Sequence, residues 1–150
     1  MSDMPSNGHP REPDSDWPSP RGVQASDAQI SGVRVLLAED HRELHRAMRQ
    51  FLEDAGASVE SAYDGREAVT KALSSSFDIV LMDLRMAHMD GLEATRTLRL
   101  HGCVMPIVAI TADLAALRLQ EAQGAGCNAC LTKPFKIRDL VACLSSRKPA

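Results

Sequence analysis

The sequence lacks any apolar run that is long enough to cross a membrane. Its unbroken apolar runs, such as Val35–Ala38 and Ile79–Met82, fall far short of the roughly 20 residues that a spanning helix needs. The first 20 residues also lack the apolar core of a secretory signal, because they are polar and rich in proline. We therefore expect a cytoplasmic protein with no membrane insertion.

A strong excess of one charge is missing as well. Seventeen basic and 20 acidic residues leave a formal net charge of −3, so nothing indicates nonspecific binding to nucleic acid. Four cysteines without an export signal are interpreted as reduced thiols rather than as a disulfide framework. With 44% apolar and 25% charged residues, the 150-residue chain has the composition of one globular domain, which excludes a collagen, a coiled-coil rod and a wholly disordered chain.

The composition changes near residue 30. Five of the eight prolines lie in the first 20 residues, and residues 1–30 carry the whole net charge of −3. A segment with so few apolar residues cannot offset the entropy lost on ordering. We predict a disordered, acidic and proline-rich tail or linker over residues 1–30, a folded domain over residues 31–146 and a short tail over residues 147–150.

Within the folded domain, short apolar runs alternate with segments of helical periodicity. The predicted strands are Val33–Ala38, Ser58–Ala62, Phe77–Met82, Pro106–Ile110 and Ala129–Thr132, and a helix follows each of them. Asp40 is the candidate N-cap of the first helix, and Asp90-Gly91 is interpreted as a turn. Five βα units predict an α/β fold with a doubly wound, five-stranded parallel sheet in the order 2-1-3-4-5.

Chemically active side chains follow the predicted strands. Glu39 and Asp40 come after strand one, Asp83 after strand three, Thr111 after strand four and Lys133 after strand five. In such a sheet, ligands bind beyond the carboxyl ends of the strands at the switch point, here between strands one and three. Clustered carboxylates repel one another unless a cation is present, and Mg²⁺ prefers carboxylate, water and phosphate oxygens. The set therefore suits phosphoryl transfer to a carboxylate.

Five ordered motifs between Gly32 and Leu144 resemble the receiver domain of two-component response regulators. They are Val33–Asp40, Met82–Met86, Met89–Gly91, Ala109–Ala112 and Leu131–Phe135. The resemblance is closest to the receivers of hybrid sensor histidine kinases, and it implies a flavodoxin-like fold. It also implies phosphorelay signal transduction with Mg²⁺ as the cofactor.

The resemblance further implies a role for each site residue. Asp83 is expected to be the phosphoacceptor, and Thr111 and Lys133 are expected to bind the phosphoryl group. The residues expected to hold Mg²⁺ are Glu39, Asp40, Asp83 and, through its backbone carbonyl, Arg85. The peptide bond before Pro134 is expected to be cis.

The sequence departs from the family pattern near this site. Ala87 stands where a proline is usual, and Asp113 adds a carboxylate two residues after Thr111. At the switch position, which often carries a tyrosine or phenylalanine, this chain has Cys130. We expect the signal relayed through the fourth helix and fifth strand to be altered as a result, while the chemistry at Asp83 is retained.

The leading functional hypothesis is a phosphoacceptor module that takes its phosphoryl group from a sensor histidine kinase or a histidine phosphotransfer domain. It would not be a conventional enzyme, although it would catalyse its own phosphoryl transfer and slow autodephosphorylation. Six residues follow Leu144, too few for an output domain, so we expect a docking protein, a relay or a piece of a hybrid kinase. The alternatives are a non-catalytic interaction module with a receiver fold and a metal-dependent phosphohydrolase with an aspartyl nucleophile.

Two other pairs of residues have the spacing of metal or redox ligands. His41 and His45 lie four residues apart on one helix, but we interpret them as part of an exposed first turn rather than a zinc site. Cys127 and Cys130 form a single C-x-x-C, and we interpret them as ordinary small apolar side chains. Arg42, Arg46 and Arg49 are interpreted as a solvated helix face.

Overall fold

The computed structural model of the chain describes residues 30–112, 116–133 and 135–147. The elements are β1 (Arg34–Ala38), α1 (Arg42–Asp54), β2 (Ser58–Ala62), α2 (Gly65–Ser74), β3 (Ile79–Asp83), α3 (Gly91–Leu100), β4 (Ile107–Thr111), α4 (Ala116–Ala125), β5 (Ala129–Thr132) and α5 (Ile137–Arg147). The predicted tail up to residue 29, Asp113, the bond before Pro134 and residues 148–150 lie outside the described residues. No helix in the described ranges has both the length and the apolar character that crossing a membrane requires.

The predicted fold is confirmed. The five strands form one sheet in the order β2-β1-β3-β4-β5, and every neighbouring pair is parallel. Parallel strands need a crossover connection, which is usually a helix, and right-handed crossovers distribute these helices over both faces of the sheet. The order reverses at β1, so the switch point lies where β1 pairs with β3.

The core forms on both faces of the sheet because alternate residues of a strand point in opposite directions. Val35 and Leu37 of β1 pack in one apolar cluster with residues of α1 and α5, and Leu36 and Ala38 pack in another with residues of α2 and α3. All residues of β3 and β4 are buried, which explains why the first four residues of each strand are apolar. Ile30, which the predicted boundary places in the tail, is fully buried in the first cluster.

The element boundaries differ from the predicted ones where polar residues end a strand or begin a helix. The N-cap of α1 is His41, whose Nδ1 accepts a hydrogen bond from the Leu44 amide at 3.2 Å, so the prediction of Asp40 was wrong. Strands β3 and β4 end one residue later than predicted, at Asp83 and Thr111, and they begin two residues and one residue later, respectively. Both polar residues thus belong to the sheet and are held by its rigid backbone.

The segment interpreted as a turn at Asp90-Gly91 is the beginning of a helix. The Asp90 side chain caps α3 by accepting a hydrogen bond from the Glu93 amide at 2.9 Å. Gly91 is the first residue of α3, and a Cβ there would collide with the carbonyl group of Asp83. Glycine at position 91 therefore allows α3 to begin directly against the end of β3.

Candidate functional site

The polar strand-end residues meet at one edge of the sheet. Glu39 and Asp40 directly follow β1, Asp83 ends the neighbouring β3, Thr111 ends β4 and Lys133 directly follows β5. The Lys133 amide donates a hydrogen bond to the Thr111 carbonyl at 2.9 Å, which brings the end of β5 to the end of β4. The parallel sheet thus brings together residues that are up to 94 positions apart in the chain.

Asp83 lies at the centre of this edge and is almost entirely buried, with 3% of its surface exposed. One of its oxygens, Oδ1, accepts a hydrogen bond from the Arg85 amide at 3.1 Å. The other, Oδ2, accepts a hydrogen bond from Lys133 Nζ at 3.3 Å. The carboxylate is therefore oriented from both sides and cannot rotate freely.

Glu39 is the second buried carboxylate of the site, and its contacts were not foreseen from the sequence. Its Oε1 accepts a hydrogen bond from Lys133 Nζ at 3.0 Å, and its Oε2 accepts one from the His41 amide at 2.9 Å. Lys133 thus lies closer to Glu39 than to Asp83, and its ammonium group bridges the two carboxylates. One cation is shared between two acidic groups.

The positive charge of Lys133 does not fully offset the effect of burial on the pKa of Asp83. Burial raises the pKa of Asp83 to about 7; the Arg85 amide opposes the shift, the charge of Glu39 adds to it, and the charge of Lys133 opposes it. Burial alone would lower the pKa of Lys133, but its hydrogen bond to Glu39 and the charge of Asp83 raise it. Lys133 is therefore firmly charged, whereas Asp83 titrates near neutral pH.

Glu39, Asp40 and Asp83 form a cluster that can hold a metal ion. Each offers one carboxylate oxygen, and these oxygens lie within 4.8 Å of one another. Carboxylate oxygens are the hard ligands that Mg²⁺ prefers, and few protein ligands suffice because Mg²⁺ keeps several waters. The residues present therefore fit the cofactor that the sequence predicts.

A buried histidine beside this cluster was interpreted wrongly from the sequence. His45 is 1% exposed, and its Nδ1 donates a hydrogen bond to the Glu39 carbonyl at 2.8 Å, whereas an exposed first turn was expected. Its ring stacks on the Tyr63 ring with the centroids 4.3 Å apart. The guanidinium group of Arg42 also lies over the Tyr63 ring, 4.1 Å from its centroid. Burial lowers the pKa of His45, so its ring is neutral at pH 7 and supports the Glu39 backbone.

The predicted solvated face of α1 is only partly solvated. Arg49 donates a hydrogen bond to Ser61 Oγ of β2 at 2.6 Å and forms an ion pair with Glu53, whereas Arg46 is exposed. With Arg42 on Tyr63, two of the three arginines thus pack along the β2 edge. The helical spacing alone could not distinguish contact with a neighbouring strand from contact with water.

Cys130 at the switch position points into a small apolar cluster under α4. It is 8% exposed, and its cluster includes Ala109, Ala122 and Ala125. Burial raises the pKa of its thiol to about 12 and also raises that of Cys127, so neither sulfur is a ready nucleophile. Both cysteines are free thiols, as the sequence predicts.

Comparison with known proteins assigns the family. Residues 35–145 match the response regulator receiver domain. The chain is 38% identical over 110 residues to the response regulator MprA of Mycolicibacterium vanbaalenii, an alignment that covers 73% of this chain and 48% of that protein. The chain belongs to the receiver domain family of response regulators, and it spans about half the length of the curated relatives it matches.

Solved receiver structures share the fold. The receiver domain of the sensor histidine kinase PA1611 from Pseudomonas aeruginosa, solved with a magnesium ion in its active-site cleft, is 34% identical, with a TM-score of 0.71 over 77% of this chain and 97% of that one. The receiver of Saccharomyces cerevisiae Ssk1, solved with the phosphotransfer protein Ypd1, is 28% identical, with a TM-score of 0.67 over 73% of this chain and 84% of that one. The receiver of a sensor histidine kinase and the receiver of a response regulator are therefore both similar to this chain.

Proposed function

We propose that this receiver domain accepts a phosphoryl group on Asp83 from a phosphohistidine. The observation that carries the proposal is the environment of Asp83: a buried carboxylate at a strand end, 3.3 Å from the Lys133 ammonium and within 4.8 Å of oxygens from Glu39 and Asp40. An aspartate that served only to end a strand would be solvated rather than placed among two further carboxylates and a lysine. This arrangement instead suits a carboxylate that receives a negatively charged group during a reaction.

The reaction is a direct displacement at phosphorus. An oxygen of ionised Asp83 attacks the phosphorus atom, the P–N bond to the donor imidazole breaks, and the imidazole nitrogen that is released takes up a proton. The Arg85 amide fixes one oxygen of Asp83, which orients the carboxylate for attack. Lys133 and the Thr111 hydroxyl would then contact the transferred phosphoryl oxygens.

The metal would be held by carboxylate oxygens of Glu39, Asp40 and Asp83 and by the backbone carbonyl of Arg85. When bound, Mg²⁺ would supply positive charge to offset the negative charge on the phosphoryl oxygens. Glu39 contributes a fixed geometry, because the His41 amide and Lys133 Nζ already hold both of its oxygens. The domain would thus catalyse its own phosphorylation and slow dephosphorylation without being a conventional enzyme.

The partner proposed for this site is a sensor histidine kinase or a histidine phosphotransfer domain. Two observations support it: a structural relative is the receiver of a sensor histidine kinase, and another was solved with a phosphotransfer protein. The small residue at Cys130 also favours a relay, because no aromatic ring is available there to change the surface of α4 and β5 on phosphorylation. Presentation of the phosphoryl group itself would then carry the signal.

Incubation with acetyl phosphate and Mg²⁺, followed by intact mass measurement, tests this function. We expect the wild-type chain to gain about 80 Da and to lose it slowly, and we expect Asp83→Asn to gain nothing. Asp90→Asn is the matched control, because Asp90 is an exposed neighbour whose capping role asparagine can take over. Continued turnover of acetyl phosphate without retained label would indicate a phosphohydrolase, and no reaction would indicate a pure interaction module.

A further inference from the structure

The segment between β3 and α3, residues 84–90, is attached to two different parts of the molecule. The amide of Ala87 donates a hydrogen bond to Asp40 Oδ2 at 2.9 Å. One residue further on, His88 Nδ1 donates a hydrogen bond to Asp64 Oδ2 at 3.0 Å. We refer to residues 87–89 as the strap, because this short turn connects the acidic cluster with the beginning of α2.

The first attachment depends on a departure from the family pattern. Proline, which is usual at this position, has no amide hydrogen and could not donate to a carboxylate. Alanine at position 87 therefore does more than relax the backbone: it supplies a donor to one of the three clustered carboxylates. Because that donor holds one oxygen of Asp40, the carboxylate adopts one orientation and its other oxygen remains for a metal ion.

The second attachment fixes the conformation of the strap. His88 has a φ of 69°, the only positive φ of a non-glycine residue in the described ranges. Such a conformation is strained for a residue with a side chain and persists only where its surroundings hold it. The Met89 amide donates to the Ala87 carbonyl at 2.7 Å, so the turn closes tightly around His88.

The beginning of α2 provides a rigid anchor for this turn. Asp64 caps α2 through Oδ1, which accepts the Glu67 amide at 2.8 Å, and this leaves Oδ2 for His88. Gly65 packs so closely on the strap that a Cβ at this position would collide with the Met89 carbonyl. The strap is thus clamped between α2 on one side and the acidic cluster on the other.

We propose that His88 is a positioning residue for the metal site. Held by Asp64, it keeps the strap in the conformation in which the Ala87 amide fixes the Asp40 carboxylate. The Arg85 carbonyl, a proposed metal ligand, lies on the same segment and is held with it. The inference rests on the proposed function, because it takes Asp40 to be a ligand of Mg²⁺.

The test is a Mg²⁺ titration of the ¹⁵N-labelled full chain, followed by amide chemical shifts. Replacing a hydrogen-bond partner of a metal ligand commonly costs ten- to a hundredfold in metal affinity, so we expect about a tenfold loss for Ala87→Pro. Ala87→Ser retains the amide donor at this exposed position and should bind as the wild type does. His88→Ala acts one step further away, so we expect roughly a threefold loss together with a changed Ala87 amide shift in the metal-free protein.

Two further variants separate positioning from general loosening of the fold. Asparagine tolerates positive φ and carries a donor, so His88→Asn should restore part of the affinity that His88→Ala loses. His101→Ala, which removes an exposed histidine at the end of α3, should change nothing. Equal Mg²⁺ affinity in the wild type, Ala87→Pro and His88→Ala would overturn the inference, whereas a wild type without any Mg²⁺-dependent shifts at Glu39, Asp40 and Asp83 would overturn the proposed function.

Discussion

Asp83→Asn should stabilise the metal-free protein above neutral pH. Asparagine has nearly the same shape as aspartate, and it removes one negative charge from a site in which Lys133 is the one cation, of those the structure describes, that contacts Asp83 directly. Its Oδ1 can still accept the Arg85 amide. The substitution therefore removes an electrostatic cost without opening a cavity.

The magnitude follows from the pKa of Asp83. Burial raises it from 3.8 to about 7, and each pKa unit corresponds to about 1.4 kcal/mol. Ionised Asp83 therefore destabilises the folded state by at most about 4 kcal/mol relative to the protonated form. This shift already includes the opposing attraction of Lys133. Because asparagine resembles the protonated form, we expect Asp83→Asn to raise the free energy of unfolding by up to about 4 kcal/mol.

The sign of the pH dependence is fixed by the same values. Below the unfolded pKa of about 4, Asp83 is protonated in both states, and the two proteins should be about equally stable. As the pH rises towards about 7, the unfolded wild type loses its proton while the folded protein keeps it, so the wild type loses stability. The advantage of Asp83→Asn should therefore grow between these pH values and level off above them.

Urea unfolding followed by far-ultraviolet circular dichroism measures this difference without metal and with Mg²⁺. Added Mg²⁺ should stabilise the wild type more than the variant, because a ligand that binds only the folded state stabilises it by mass action. Asp54→Asn, which removes an exposed carboxylate at the end of α1, should change stability by less than about 0.5 kcal/mol. An advantage that is absent, or that does not depend on pH, would refute the reasoning.

Three further predictions concern the other site residues. Asp40→Ala should weaken Mg²⁺ binding more than about tenfold in a calorimetric titration, and an unchanged titration would mean that the metal site lies elsewhere. Lys133→Ala should lower the free energy of unfolding by roughly 1–3 kcal/mol at neutral pH and slow labelling by acetyl phosphate; urea unfolding and intact mass measure these effects, and unchanged values would exclude the proposed role. Cys130→Ala should retain phosphoryl exchange with a histidine phosphotransfer domain, and amide exchange with a beryllofluoride mimic should change most around Asp83 and Thr111. Large changes in amide exchange across α4 and β5 would instead indicate that the signal passes through the surface of these two elements.

The fold could be predicted because its signals are local and repeated. Most strands are short apolar runs such as Val35–Ala38, each strand is followed by a helical pattern, and the handedness of the crossovers leaves few possible sheets. The strand-end position of the polar residues follows from the same pattern. What the sequence could not show is which oxygen each donor reaches, because a contact such as Lys133 to Glu39 joins residues 94 positions apart.

The wrong interpretations have a common physical origin. Asp40 and His41 both have side chains that can cap a helix, and only the position of the following segment decides between them. In the structure, Asp40 accepts the Ala87 amide and His41 takes the cap. Likewise, His45 follows the polar beginning of α1 and was assigned to the exposed surface, but its neighbour Tyr63 comes from the end of β2 and covers it. Local sequence gives the donors and acceptors, whereas the tertiary fold selects the pairs.

The electrostatics of the site explain why a cation matters to its chemistry. Within the described ranges, Lys133 pairs with two of the three clustered carboxylates, Glu39 and Asp83, so the fully ionised cluster has an excess of negative charge. With its pKa at about 7, Asp83 relieves part of this excess by keeping a proton near neutral pH. A protonated carboxyl group is a poor nucleophile. Any bound charge that makes Asp83 lose this proton therefore also prepares it for attack on phosphorus. A divalent cation at Glu39 and Asp40 would have this effect, because a nearby positive charge favours the ionised form. Metal occupancy and reactivity of Asp83 are therefore expected to rise together.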